Sequence, residues 1–100
     1  MPAVSETAVA EAAERAAYYA QGPDGFKALT PATGPWDPKA QNGVALAGLL
    51  AHLAETDPDG AGLDIARFQL DILRPAPFDI PCQARHSVLR SGPRIRILQI

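Results

Sequence analysis

The sequence predicts an α+β domain in which a long buried central helix is wrapped by an antiparallel sheet. Three observations carry this expectation. Between Val44 and Leu53 the only polar side chain is His52, and Leu46, Leu49, Leu50 and Leu53 recur at i, i+3, i+4 and i+7, the spacing of one helix face. Beyond Gly60 the period changes to two, first over Ala66–Ile72, then over Ile80–Val88, then over Arg94–Ile97. The turns between these runs are too short for parallel crossovers, so the strands are expected to form an antiparallel meander.

Composition bounds the rest. One hundred residues, 47% hydrophobic and 20% charged, make one globular domain. Aromatic residues are only 6% and alanine is abundant, so the core must be drawn from Leu, Ile and Val and will be modest. A net charge of −2 argues against a nucleic-acid scaffold, which needs a broad basic face. The charge is uneven. Up to Gly60 three basic residues face eight acidic ones; from Ala61 onward six arginines, and no lysine, face three aspartates. Arginine pairs bidentately with phosphate or carboxylate, although solvated outward positions on strands explain the pattern as well. A single cysteine, Cys82, excludes an internal disulfide, and with only His52 and His86 beside it no structural zinc site is expected. No cofactor or metal is implied. The start of the chain has no basic segment followed by an apolar run, and no stretch of eighteen apolar residues occurs, so a cytoplasmic protein without a membrane partner is expected.

Each element can be justified in order. Ser5–Ala20 is alanine-rich and Gln21-Gly22-Pro23 follows as a stop, so residues 1–22 are expected to form a peripheral helix, separate from a unit over 23–100. Phe26–Leu29 suits a short strand. Three prolines in Thr30–Pro38 stiffen a loop, with Trp36 expected to plug it onto the core. Asn42 can cap the central helix, and Asp57-Pro58-Asp59-Gly60 ends it after roughly 12 residues, or about 18 Å. Gly48 is expected to bring that helix close to the sheet. Along the strands, Phe68, Leu70 and Ile72 are the inward positions that should cover the leucines, and Cys82 and His86 share the inward face of the next run. The last run reaches Ile100 without a turn or polar tail, so the unit is expected to be truncated at its C-terminal end.

Several chemistries find no support. Gly-x-Ser-x-Gly is absent, so there is no serine-hydrolase elbow. Cys82 and His86, four residues apart on a regular strand, would stand about 13 Å apart, too far for nucleophile and base. Asp64, Asp71, Asp79, Asp37 and Glu55 sit at strand ends, on outward faces or beside the helix, and none reads as a buried general base.

Four features taken together carry a family resemblance. They are Phe26 through Gly43 with its Thr-Pro-Ala-Thr-Gly-Pro-Trp-Asp-Pro core, the small-residue and leucine helix that follows, Ala66-Arg67-Phe68 running to Leu73-Arg74-Pro75-Ala76-Pro77, and Val88-Leu89-Arg90-Ser91-Gly92. Over roughly residues 18–100 the chain resembles the N-terminal half of the double-hotdog acyl-CoA thioesterases. The resemblance implies a hotdog fold and a hydrolase of fatty acid metabolism that releases free acid and CoA from acyl-CoA. It implies a second hotdog unit as partner, assembly into a homo-oligomer, and a catalytic carboxylate located beyond Ile100. Family members often carry His-Gly-Gly where this chain has Asn42-Gly43-Val44, so two of the three positions depart, and the resemblance does not carry over a histidine side-chain role while leaving backbone N–H donation at the helix start open. Substrate-binding positions are therefore expected at Trp36, Asn42, Gly43 and Val44. The helix start reads either as an ordinary N-cap or as donors facing a thioester oxyanion. A non-hydrolytic acyl-binding or assembly module, or a hydratase-like hotdog enzyme, is the alternative function.

Overall fold

The computed structural model describes residues 17–100. Its elements in chain order are β1 (Tyr19–Gly22), β2 (Gly25–Ala28), a 3-10 turn (Thr30–Ala32), α1 (Gly43–Thr56), a second 3-10 turn (Pro58–Gly60), β3 (Ser87–Ser91) and β4 (Arg96–Gln99). One helix with antiparallel strand pairs gives the expected α+β class. The sheet consists of two separate ladders, β1 with β2 and β3 with β4.

The helix expected over Ser5–Ala20 lies outside the described residues up to 16, and its last part is corrected. Tyr19–Gly22 is a strand, in register with β2 from Tyr19 opposite Ala28 to Gly22 opposite Gly25. Alanine content favoured a helix, but Tyr18-Tyr19 suits a strand, and Gly22-Pro23-Asp24-Gly25 is a tight-turn sequence as much as a helix stop. These residues therefore join the main unit. Gly25 holds the turn at φ 115°, and a Cβ there would stand 2.3 Å from the Cys82 carbonyl oxygen. Phe26 and Cys82 exchange backbone hydrogen bonds at 2.8 Å in both directions, so the hairpin is pressed flat against residues around 82.

The Pro-rich loop folds back on itself. Gly34 N–H donates to the Ala40 carbonyl at 2.8 Å, and the Asp37 carboxylate accepts from the Lys39 N–H at 2.9 Å. Trp36 rides the tip of this loop and is 95% exposed, so it does not plug the core. With prolines on both sides and the loop closed behind it, its side chain is held away from the core.

α1 runs 14 residues, one turn of sequence longer than its apolar run. Asn42 caps it as expected, its side-chain oxygen accepting from the Val44 N–H at 2.8 Å. Asp57-Pro58 ends it, and Asp57 then caps the following 3-10 turn by accepting from Asp59 N–H at 2.9 Å. Ala45 and Leu49 are its buried residues, while Leu46, Leu50 and Leu53 are half-buried. The helix is thus covered on one side only. Val44, Gly48 and His52, each four residues from the next, line an open face, with Val44 75% exposed. Around Gly48 a Cβ would find nothing within 4 Å, so this glycine does not serve close packing.

The uncovered face follows from the strands. Residues 63–73 belong to no helix, strand or ladder among the described residues, and Phe68 and Ile72 remain exposed in place of covering the leucines. Alternation marks which face a strand would bury; it does not supply the neighbour that buries it. In the second run Cys82 makes an isolated bridge to Phe26 and a ladder begins only at Ser87, where a register shift between Val88 and Arg90 places Leu89 out of step. The buried apolar set is correspondingly small, comprising Ala28, Ala32, Ala45 and Leu49. The Cα radius of gyration, 16.2 Å, exceeds the value of about 13 Å for a compact domain of this length.

Two substitutions test these assignments by thermal or urea melts. Gly25→Ala adds a strained φ and a backbone clash, and should destabilise by about 2 kcal/mol or more. Gly48→Ala replaces an open helical glycine, and should stabilise the chain by about 0.5–1 kcal/mol.

Candidate functional site

The start of α1 is fixed by one buried polar side chain, Gln41, immediately before the cap. It is 7% exposed. Its Oε1 accepts from the Tyr19 hydroxyl at 2.8 Å, and its Nε2 donates to the Pro77 carbonyl at 2.9 Å. The Cys82 thiol lies against the same amide, with Sγ 3.3 Å from Nε2 and 3.5 Å from Oε1. The Gln41 backbone N–H donates to Ala76 O at 2.8 Å, and the next N–H, of Asn42, to Ala32 O at 2.7 Å. Three distant stretches, around 19–32, 39–42 and 76–82, therefore meet beneath the helix start. Burial, and secondarily the neighbouring Cys82, push the Tyr19 phenol up to about 12. It stays neutral and keeps donating through the physiological range.

Of the expected substrate-binding residues, Asn42, Gly43 and Val44 are brought together here by chain continuity. Trp36 sits on the loop whose stems, Thr33 and Gln41, are bridged at the same place. The Val44 N–H is occupied by the Asn42 cap, so this donor is not free for an oxyanion. Gly43 N–H lies in the first turn, where the helix supplies no i−4 acceptor. A Cβ at Gly43 would stand 3.3 Å from Ile72 Cδ1, so the Ile72 side chain reaches close to this point.

The opposite end of α1 holds a cluster that reading the sequence did not bring together. Asp57, Asp59 and His86 place a donor atom each within 4.8 Å of one another. His86 Nε2 is 3.2 Å from Asp59 Oδ2, and Nδ1 is 3.9 Å from Asp57 Oδ2. Arg96 donates to the Asp59 carbonyl oxygen, tying β4 to the same corner. The Asp57 side chain is 6% exposed, which makes it the buried carboxylate that the aspartates and glutamate considered from sequence did not provide. His86, expected to face inward, is instead about half exposed. A small cavity of about 80 Å³ adjoins the cluster, walled by Asp57, His86, Leu53 and Ile100 among others. Fourteen helical residues span about 21 Å, so this corner and the Asn42 cap are different sites.

A broader groove of about 390 Å³ lies between the β1–β2 turn and residues 83–85, with Phe26, Gln83 and Arg85 on its walls. No helix among the described residues is long and apolar enough to cross a membrane.

A single helix set against antiparallel ladders is the arrangement of one hotdog unit. The profile of the acyl-CoA thioesterase N-terminal domain matches residues 32–100, and the chain belongs to that family. The matched span includes Trp36, the Gln41 network's central residue, all of α1 and the Asp57–Asp59–His86 corner. No curated protein and no solved structure matches the chain.

The Tyr19 network gives a pH prediction. Because the phenol is raised in the folded chain, its contribution to stability is complete below about pH 10 and is lost as pH climbs from 10 towards about 12. Melts across that window should show a falling midpoint in the parent protein and a flatter course in Tyr19→Phe, which at neutral pH should be less stable by about 1 kcal/mol.

Proposed function

We propose that this chain forms the pocket-building half of an acyl-CoA thioesterase, with the catalytic carboxylate supplied from outside residues 1–100. The observation that carries the reading is the family match across residues 32–100. The uncovered apolar surface supports a second hotdog unit as the structural partner. Phe68, Ile72, Leu73, Ile80, Ile95 and Ile97 are all exposed, large apolar side chains that a partner surface can cover. A second unit would extend the β3–β4 ladder and cover the open side of α1; a homo-oligomer of such pairs is the assembly this reading carries.

At the thioester, negative charge develops on the carbonyl oxygen, and the amino end of α1 presents the positive end of its dipole. In this proposal Gly43 N–H faces that oxygen, Asn42 holds the first turn in register, and Trp36 and Val44 contribute apolar surface to the acyl chain. Asn42 acts as a positioning residue through the cap.

The test is release of free CoA by the full-length protein from a panel of medium-chain acyl-CoA thioesters. Turnover is expected, and Asn42→Ala should reduce it about tenfold to a hundredfold through loss of the cap and displaced donors. Asp57→Asn, made in a protein of unchanged melting temperature, should keep its activity. Its loss there would move the catalytic carboxylate to the Asp57–His86 corner, and no release from any acyl-CoA would favour an acyl-binding module.

A further inference from the structure

The corner where α1 ends gathers two carboxylates and an imidazole around one point. Asp57 and Asp59 come from the turn after the helix, His86 from the residue before β3, and the fold brings them together across 27 residues of chain. One donor atom of each lies within 4.8 Å of the other two. A plain ion pair leaves one of these atoms unexplained. The Asp57 side chain is 6% exposed, and its two oxygens differ in surroundings. Oδ1 accepts from the Asp59 N–H at 2.9 Å. Oδ2 accepts no hydrogen bond from any described residue, and the facing His86 Nδ1 stops at 3.9 Å, beyond the reach of about 3.2 Å for such a bond. Among the described residues no arginine or lysine pairs with either carboxylate; Arg96 donates to the Asp59 backbone carbonyl instead. A buried carboxylate oxygen with no donor in contact is costly, and a cation seated between Asp57 Oδ2, Asp59 Oδ2 and His86 removes that cost.

The donor set selects the ion. Two carboxylates with an imidazole in its neutral form carry two negative charges, which balance a dication. Imidazole nitrogen suits zinc and its transition-metal neighbours, whereas calcium and magnesium take oxygen. Zinc bonds of about 2.0–2.2 Å place two ligands of a tetrahedral set roughly 3.3 Å apart. His86 Nε2 and Asp59 Oδ2 already stand at 3.2 Å. The hydrogen bond from Asp59 N–H holds the Asp57 carboxylate in one plane, as the outer partners of metal ligands do. His86 and Asp59, each about half exposed, open the point to solvent and can turn to close the remaining distance. The adjoining cavity of about 80 Å³, walled by Asp57 and His86, has room for water as a fourth ligand.

We infer that Asp57, Asp59 and His86 bind a divalent transition-metal ion of the zinc type. Seated there, the ion joins the end of α1 to the start of β3, a strand whose five residues are all exposed. The site is independent of the thioesterase reading, which concerns the other end of the helix. The full-length protein, stripped of metal with a chelator, is titrated with Zn²⁺ by calorimetry and melted with and without the ion. One ion per chain should bind, and the melting temperature should rise with its concentration. Asp57→Asn and His86→Ala should each weaken binding about a hundredfold or more, since even an outer partner of a metal ligand is worth about 10–100-fold. His86→Ala leaves both hydrogen bonds at the Asp57 turn in place, so its loss of binding is not a failure to fold. His52→Ala and Cys82→Ser, which remove the other histidine and the single thiol, should bind as the parent does. In proton NMR spectra the His86 imidazole resonances should move on adding Zn²⁺ while those of His52 stay. Binding that survives in His86→Ala, or that is lost in His52→Ala or Cys82→Ser, would place the ion elsewhere and overturn the inference. So would Ca²⁺ or Mg²⁺ binding as tightly as Zn²⁺, or no binding of Zn²⁺ by the parent protein.

Discussion

The described structure depends on the side chain of Gln41. A buried amide with unmet donors or acceptors would cost about 1–3 kcal/mol, and here both ends are satisfied, by a phenol, a carbonyl and a thiol from two other stretches of the chain. The apolar core around it is three alanines and one leucine, too small to specify how the segments align. Alignment comes from directional bonds instead. They fix the β1–β2 hairpin, the Pro-rich loop and residues 76–82 around the point where α1 begins, and a helix start is the part of this unit that can present free N–H groups to a ligand.

The two ends of α1 divide the work. At the amino end, capping and the Gln41 network give a defined approach to the first turn. At the carboxyl end, Asp57 closes the helix, caps the next turn and faces His86, while Arg96 anchors β4 beside it. Between these ends one side of the helix is packed and the other is open along Val44, Gly48 and His52. The run 63–73 and the β3–β4 ladder carry apolar residues on uncovered faces.

What was legible in the sequence is what local pattern encodes. The leucine spacing, the Asn42 cap and the Asp57-Pro58 stop gave α1 nearly to the residue, because a helix closes its own hydrogen bonds. The strands were legible as faces and not as ladders. Ala66–Ile72 alternates in sequence, yet its expected inward residues Phe68 and Ile72 are exposed, because burial needs a neighbour that alternation does not name. Alanine content beside it hides β1, and the flanking prolines of Trp36, not the ring itself, decide that it stays on the loop tip. Gln41 and the Asp57–His86 contact were invisible for one reason: their partners lie 22 to 41 residues away, and no spacing rule links them.

Those separations also set an order of assembly. α1 closes through contacts four residues apart and can form on the helix–coil timescale, below about a microsecond. The Gln41 bonds reach across 22, 36 and 41 residues, and closing loops of that length carries an entropic penalty that grows with their span. The helix therefore exists before its amino end has a fixed surrounding. The geometry at that end matures last, when residues 76–82 dock, and any lesion that slows this docking would yield a chain with native helical content and an unformed helix entrance.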